Sequence, residues 1–136
     1  MLLGVGLMQG NNQCIFCDSC NTAAVIAENR YAYALLDAFP VTELHALIIP
    51  RRHVADYFAL DEQELIACDS LLKRVKEFIQ AKDQSVLGFN IGTNVGEVAG
   101  QTVFHCHLHL IPRRLGDASR PEGGIRHVIP GKGYYR

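Results

Sequence analysis

The sequence predicts an α+β fold: an antiparallel β-sheet of about five strands with one long helix and short helical segments between them. Three observations lead there. Short apolar runs recur between turn residues, a single stretch has helical periodicity behind a start signal, and the last two strand-like runs are joined by a loop too short for a crossover. At 136 residues the chain suits one domain that buries roughly two thirds of its unfolded surface. Residues 1–136 are therefore read as one domain, with a loose N-terminal lead-in over 1–13 and an irregular tail over 115–136.

The lead-in ends in GNNQ and has no periodic pattern. Its opening MLLGVGLM is apolar but too short to span a bilayer, and it lacks a basic segment or small-residue cleavage site. Neither signal peptide nor membrane helix is expected, which makes the cytoplasm the default compartment. Cys14-Ile15-Phe16-Cys17-Asp18-Ser19-Cys20 reads as a knuckle-like turn before a first strand over the apolar run Ala23 to Ala27. Glu28-Asn29-Arg30 reads as a hairpin turn, since Asn tolerates left-handed backbone angles. Tyr31 to Leu36 is the second strand, ending at Asp37. Pro40 marks a loop, and Leu44 to Ile49 is the third strand, closed by Pro50 and by Arg51-Arg52 before His53.

The helix follows. Asp61 with Glu64 three residues on forms a capping-box pattern, and Leu65, Cys68, Leu72, Val75 and Ile79 repeat along one stripe to about Ala81. Val86 to Ile91 is a further strand. It passes through a glycine-dotted loop, residues 92–100, into a last strand that carries three histidines, and the short connection makes the two an antiparallel hairpin. The tail is rich in Gly, Pro and Arg, with room for a short strand around Ile125 to Ile129.

Apolar residues make up 49% of the chain and charged residues 20%, with a formal net charge of -1. No basic stripe is present to neutralise a nucleic acid backbone, although a single nucleotide stays open. The cysteines number five, an odd count without a secretory signal, which favours thiols or metal ligands over a disulfide framework.

Chemistry concentrates in Gly100 to Arg114, GQTVFHCHLHLIPRR. In an extended strand His105, His107 and His109 share one face, while Phe104, Cys106, Leu108 and Leu110 face a core. Imidazoles without partners cost free energy that Val or Ile would not, so the histidines are read as functional. One option is that all three bind a single catalytic metal. Cys14 and Cys17 form a C-x-x-C pair, half of a tetrahedral zinc site, with a redox pair or idle thiols as alternatives. Cys68 and Cys106 read as small core residues, His45 as a hydrogen-bonded core histidine and His127 as exposed. Arg51-Arg52 and Arg113-Arg114 are solvated loop ends with a secondary capacity to draw in a polyphosphate.

Taken together, Gly-Gln-Thr-Val before His-x-His-x-His, the Asn-containing glycine loop, Asp37, LHALIIPRRH from Leu44 to His53 and CIFC at Cys14 to Cys17 closely resemble the histidine triad superfamily across most of residues 14–114. The resemblance implies a nucleotide hydrolase or transferase acting at an α-phosphate and commonly homodimeric. It assigns His107 as the nucleophile that forms a nucleotidyl-histidine intermediate and His109 as the stabiliser of the phosphoryl oxygens. Thr102, Gln101 and Asn94 become phosphate donors, and Asp37 the ribose acceptor. It also implies structural zinc held by Cys14, Cys17, His53 and His105, with Cys20 or His45 as substitutes. Two features depart from or refine the pattern. The stretch after Cys17 is shorter than in many members, and the last triad position is His109, whereas the uridylyltransferase branch has Gln. Hydrolysis of a nucleoside phosphoramidate or dinucleoside polyphosphate, releasing a nucleoside monophosphate, is therefore the expected activity. The alternatives are a metal-dependent hydrolase using all three histidines and a nucleotide-binding protein with vestigial activity. Neither nucleic acid nor membrane is expected as a partner.

Overall fold

A sheet whose central strands are buried on both faces and one long amphipathic helix set the architecture of the computed structural model, which describes residues 13–135. The expected N-terminal lead-in lies almost wholly outside the described residues. In chain order the elements are helix α1 (Ile15–Ser19), strands β1 (Val25–Glu28), β2 (Ala32–Leu36) and β3 (Ala46–Pro50), helix α2 (Glu62–Lys82), and strands β4 (Gly88–Gly92) and β5 (Leu108–Arg113). The strands form one five-stranded sheet in the order β1-β2-β3-β5-β4, antiparallel throughout. This is the α+β fold that the sequence predicts.

Helix α2 begins where the capping box places it. The Asp61 carboxylate accepts from Glu64 N–H, and the Glu64 carboxylate accepts from Asp61 N–H, both at 2.9 Å. Its buried stripe is rotated from the expected one: Cys68, Val75 and Ile79 are inside, but Ala67 and Leu71 take the places expected for Leu65 and Leu72. The offset brings Glu64 inside at the helix start, where Arg52 pairs with it at 2.7 Å and makes its burial tolerable. The stripe packs on Ala32, Ala34, Ala46, Ile48 and Leu110 from one face of the sheet. Each fully buried aliphatic side chain there contributes about 1.5–3 kcal/mol.

The opposite face carries Tyr33, Leu35, Leu47 and Ile49, covered by Phe16 from α1. Strand parity extends this face to Asp37 and His45, and the pairing of Leu47 with His109 places His109 on it as well. The helix thus buries one side of the sheet and leaves the other for the site.

Several local expectations are corrected. Cys14 to Cys20 is not a bare knuckle: Ile15–Ser19 is a helical turn capped by the Cys14 side chain. The Glu28-Asn29-Arg30 turn stands where it was expected, between β1 and β2, and is closed by Asn29 Oδ1, which accepts from the N–H groups of Tyr31 and Ala32. The left-handed residue is Leu44 (φ 72°), so β3 starts only at Ala46. The histidine strand begins at Leu108, and Phe104 is half exposed where a core residue was expected. Around Ile125 the chain forms a 3-10 turn (Gly124–Val128) in place of a strand, entered through Gly123 and Gly124 at positive φ.

Candidate active site

The three imidazoles do not share one strand face as expected, because only His109 lies in β5; the His107 and His109 rings nevertheless sit side by side at 5.3 Å between centroids, while His105 turns away into the Cys/His cluster. His105 is fully buried. Its Nε2 lies 2.8 Å from the carbonyl of Pro50, which can only accept, so in the neutral ring the proton sits there and Nδ1 carries the lone pair. Nδ1 faces Cys14 Sγ at 3.3 Å, Cys17 Sγ at 3.6 Å and His53 Nδ1 at 3.2 Å, while Cys17 Sγ lies 3.2 Å from His53 Nδ1. The four donor atoms lie within 4.8 Å of one another. A tetrahedron with metal–sulfur and metal–nitrogen bonds of about 2.3 and 2.0–2.1 Å has edges of roughly 3.3–3.8 Å, so this cluster fits a metal such as zinc. The Pro50 carbonyl behind His105 is the outer partner that such a ligand requires. Burial and the neighbouring Cys14 push the Cys17 thiol up to about 11. Neither substitute joins the cluster: Cys20 Sγ donates to the Cys17 carbonyl at 3.2 Å, and His45 lies elsewhere.

His107 is half buried, and its Nδ1 lies 2.8 Å from the His105 carbonyl, so Nδ1–H donates and Nε2 keeps a free lone pair. Thr93 Oγ1 donates to the His107 carbonyl at 2.7 Å and holds the backbone on that side. The Phe16 ring packs against His107 at 4.9 Å and His105 at 5.9 Å between centroids, linking α1 to both.

His109 depends on a residue whose role the sequence reading missed. The Val41 N–H donates to His45 Nδ1 at 3.1 Å, so neutral His45 carries its proton on Nε2. That nitrogen lies 2.9 Å from His109 Nδ1, to which it donates, with Asp37 Oδ2 nearby at 3.5 Å. His109 Nδ1 is then an acceptor, and the His109 proton is left on Nε2, on the far side of the ring. Burial pulls the His45 and His109 imidazoles below their ordinary value. Around His109 the neighbouring His107 and His45 act with burial, and Asp37 acts against it in both rings. Desolvation wins, and both rings stay neutral near pH 7. The signal for His45 was its strand parity with Asp37 and His109, which only the pairing of β3 with β5 makes a contact.

The remaining sites are less uniform. Asp37 is half buried, and its Oδ1 accepts from Phe39 N–H at 2.9 Å. Asn94 lines a cavity with His45 and His109. Thr102 is exposed. Gln101 is buried with its amide engaged at both ends, accepting from Gly96 N–H and donating to the carbonyls of Ala55 and Val103, so it braces the loop that carries Asn94. Cys68 and Cys106 are buried core thiols, pushed up by desolvation to about 11 and about 12. No helix among the described residues is long and apolar enough to cross a membrane.

This architecture, with a nucleophile-competent imidazole beside a Cys/His cluster, defines a class. Residues 19–116 match the HIT domain, and the chain belongs to the HIT, or histidine triad, family. A HIT family protein from Bacillus anthracis superposes with a TM-score of 0.70 at 40% identity, covering 78% of this chain and 77% of its own. A zinc-bound histidine triad family protein from Mycobacterium smegmatis gives 0.70 at 33% identity, covering 79% and 80%. The adenosine 5'-monophosphoramidase HNT1 of Saccharomyces cerevisiae is 36% identical over 104 residues, 74% of this chain and 63% of the yeast protein.

Proposed function

We propose that the chain is a cytoplasmic nucleotide hydrolase that cleaves at an α-phosphate, on nucleoside phosphoramidates or dinucleoside polyphosphates, and releases a nucleoside monophosphate. The observation that carries this reading is the state of His107, with Nδ1 committed to the His105 carbonyl and Nε2 free. The Nε2 lone pair forms a bond to phosphorus, and the leaving group departs with the electron pair of its own bond and takes up a proton from solvent to leave as the amine or the phosphate. Water then attacks phosphorus, releases the monophosphate and frees the imidazole, with the spare proton passing to solvent. The His109 Nε2–H, fixed by His45, donates to the phosphoryl oxygens as charge builds on them. Asn94 and Thr102 supply further donors from the loop that Gln101 braces, and Asp37 accepts from ribose hydroxyls. The yeast phosphoramidase relative supports the same reaction class.

Cys14, Cys17, His53 and His105 would hold a structural zinc ion, which ties the N-terminal helix to the catalytic segment. The zinc-bound mycobacterial relative and the converging donor atoms support this. The rival in which all three triad histidines bind one catalytic metal fits the geometry poorly. The free nitrogen of His105 faces the thiols, and Nδ1 of His109 is taken by His45. The working unit is proposed to be a homodimer.

The test is His107→Asn. It should abolish turnover of adenosine phosphoramidate and diadenosine polyphosphate while the circular dichroism spectrum and metal content stay unchanged. Substantial residual turnover would refute the assignment, and a wild-type protein that binds nucleotide without hydrolysing it would leave the vestigial-binding reading in its place.

A further inference from the structure

Building on the hydrolase reading, we propose that Thr93 is a positioning residue for His107: its hydroxyl replaces a missing rung of the sheet and keeps the reacting ring aimed beside His109. The pairing of β4 with β5 ends at Gly92 and His109, and that of β3 with β5 ends at Leu108. Successive residues of an antiparallel strand turn their N–H and C=O groups to alternate sides, so the carbonyl of His107 faces β4, as that of His109 does. In a continued register its partner would be the N–H of Asn94. The chain has left the sheet by then, since β4 ends at Gly92. Thr93 Oγ1 donates to the carbonyl instead, at 2.7 Å.

The bond matters because His107 has little else to hold it to the sheet. Its Nδ1–H donates to the His105 carbonyl, two residues back in the same segment, which ties the ring to the segment but not the segment to its surroundings. Among the described residues, the Thr93 hydroxyl is the one hydrogen-bond partner that His107 takes from another part of the chain. His109 belongs to the ladder, and His107 does not. The 5.3 Å between their ring centroids is therefore set across the break, with Thr93 spanning it. A misplacement of about 1 Å at a reacting group can cost about a hundredfold in rate.

Thr93 also lines the cavity that holds His45, His109 and Asn94, which would suit a direct contact with substrate. Its chemistry argues otherwise. A hydroxyl carries a single hydrogen, and that of Thr93 is committed to the His107 carbonyl, so none remains for a phosphoryl oxygen. Thr93 thus acts through His107.

The experiment compares Thr93→Val, which keeps the branched shape and removes the donor, with Thr93→Ser, which restores the hydroxyl. On adenosine phosphoramidate, Thr93→Val should lower kcat about tenfold with KM within about twofold of wild type, and Thr93→Ser should recover kcat to within about threefold. Nitrogen-15 NMR of the substrate-free protein supplies a second readout. The His107 proton should sit on Nδ1 in wild type and in Thr93→Ser, and the share carried on Nε2 should rise at least about threefold in Thr93→Val. Loss of a merely stabilising bond would lower the melting temperature and leave both readouts where they were. An unchanged kcat in Thr93→Val, a loss that Thr93→Ser does not recover, or an unmoved proton would each overturn the role of Thr93 alone. If Thr93→Val does not fold, Thr93→Ala against Thr93→Ser makes the same comparison, and equal values overturn the role. A wild type that turns over no nucleotide would overturn the hydrolase reading, and the positioning role with it.

Discussion

A single backbone N–H, that of Val41, fixes the proton positions of two imidazoles in series. Because His45 Nδ1 must accept from it, His45 donates to His109, and His109 presents its remaining N–H away from His45. Protonating His109 puts N–H against N–H across the 2.9 Å to His45, and protonating His45 does so across the 3.1 Å to Val41 N–H, so either event breaks the series. Asp37 and His107 are the other titratable groups facing this pair, and burial outweighs the pull of Asp37. Both pKa values lie below the ordinary imidazole value of about 6.5, so the neutral, competent state holds above it and is lost as pH falls through the depressed values. The kcat/KM profile should therefore be flat above about pH 6.5 and fall on an acid limb with its midpoint below that value. A midpoint above 7 would contradict this. His45 was legible in the sequence only as a core histidine, because its partner is 64 residues away and spacing within one segment cannot reveal a contact between strands.

Helix α1 spans only five residues yet joins the cluster to His107, the proposed nucleophile: Cys14 and Cys17 flank Phe16, whose ring rests on both His105 and His107. If the cluster holds zinc, Cys14→Ser should lower metal content and melting temperature together. The expected loss is on the order of 2 kcal/mol, roughly 5–10 °C for a chain this size. Unchanged metal stoichiometry by inductively coupled plasma mass spectrometry would refute the site. At this scale much was readable in advance. The capping box of α2 and the antiparallel pairing of β4 with β5 follow from local signals at Asp61, Glu64 and the short glycine loop. What escaped was tertiary: the inward turn of Glu64 is matched by Arg52 from outside the helix, and the Gly124–Val128 turn packs His127 against Gly133 of the tail.

Across the whole molecule, the sheet order leaves β1 and β4 at its edges, and exposed Leu87 and Ile91 accompany the β4 edge. An unpaired edge with apolar neighbours is a ready surface for a second copy of the chain. Sedimentation at micromolar concentration should give twice the 15.1 kDa of one chain, and a species at the single-chain mass would remove the homodimer. The late start of β5 has a consequence of its own. Had the ladder run back through His105, neighbouring strands would have competed for the carbonyl that now orients His107. The break in the pleat is thus what leaves that carbonyl to the His107 ring, and a variant repaired into regular sheet would gain tidiness at the expense of aim.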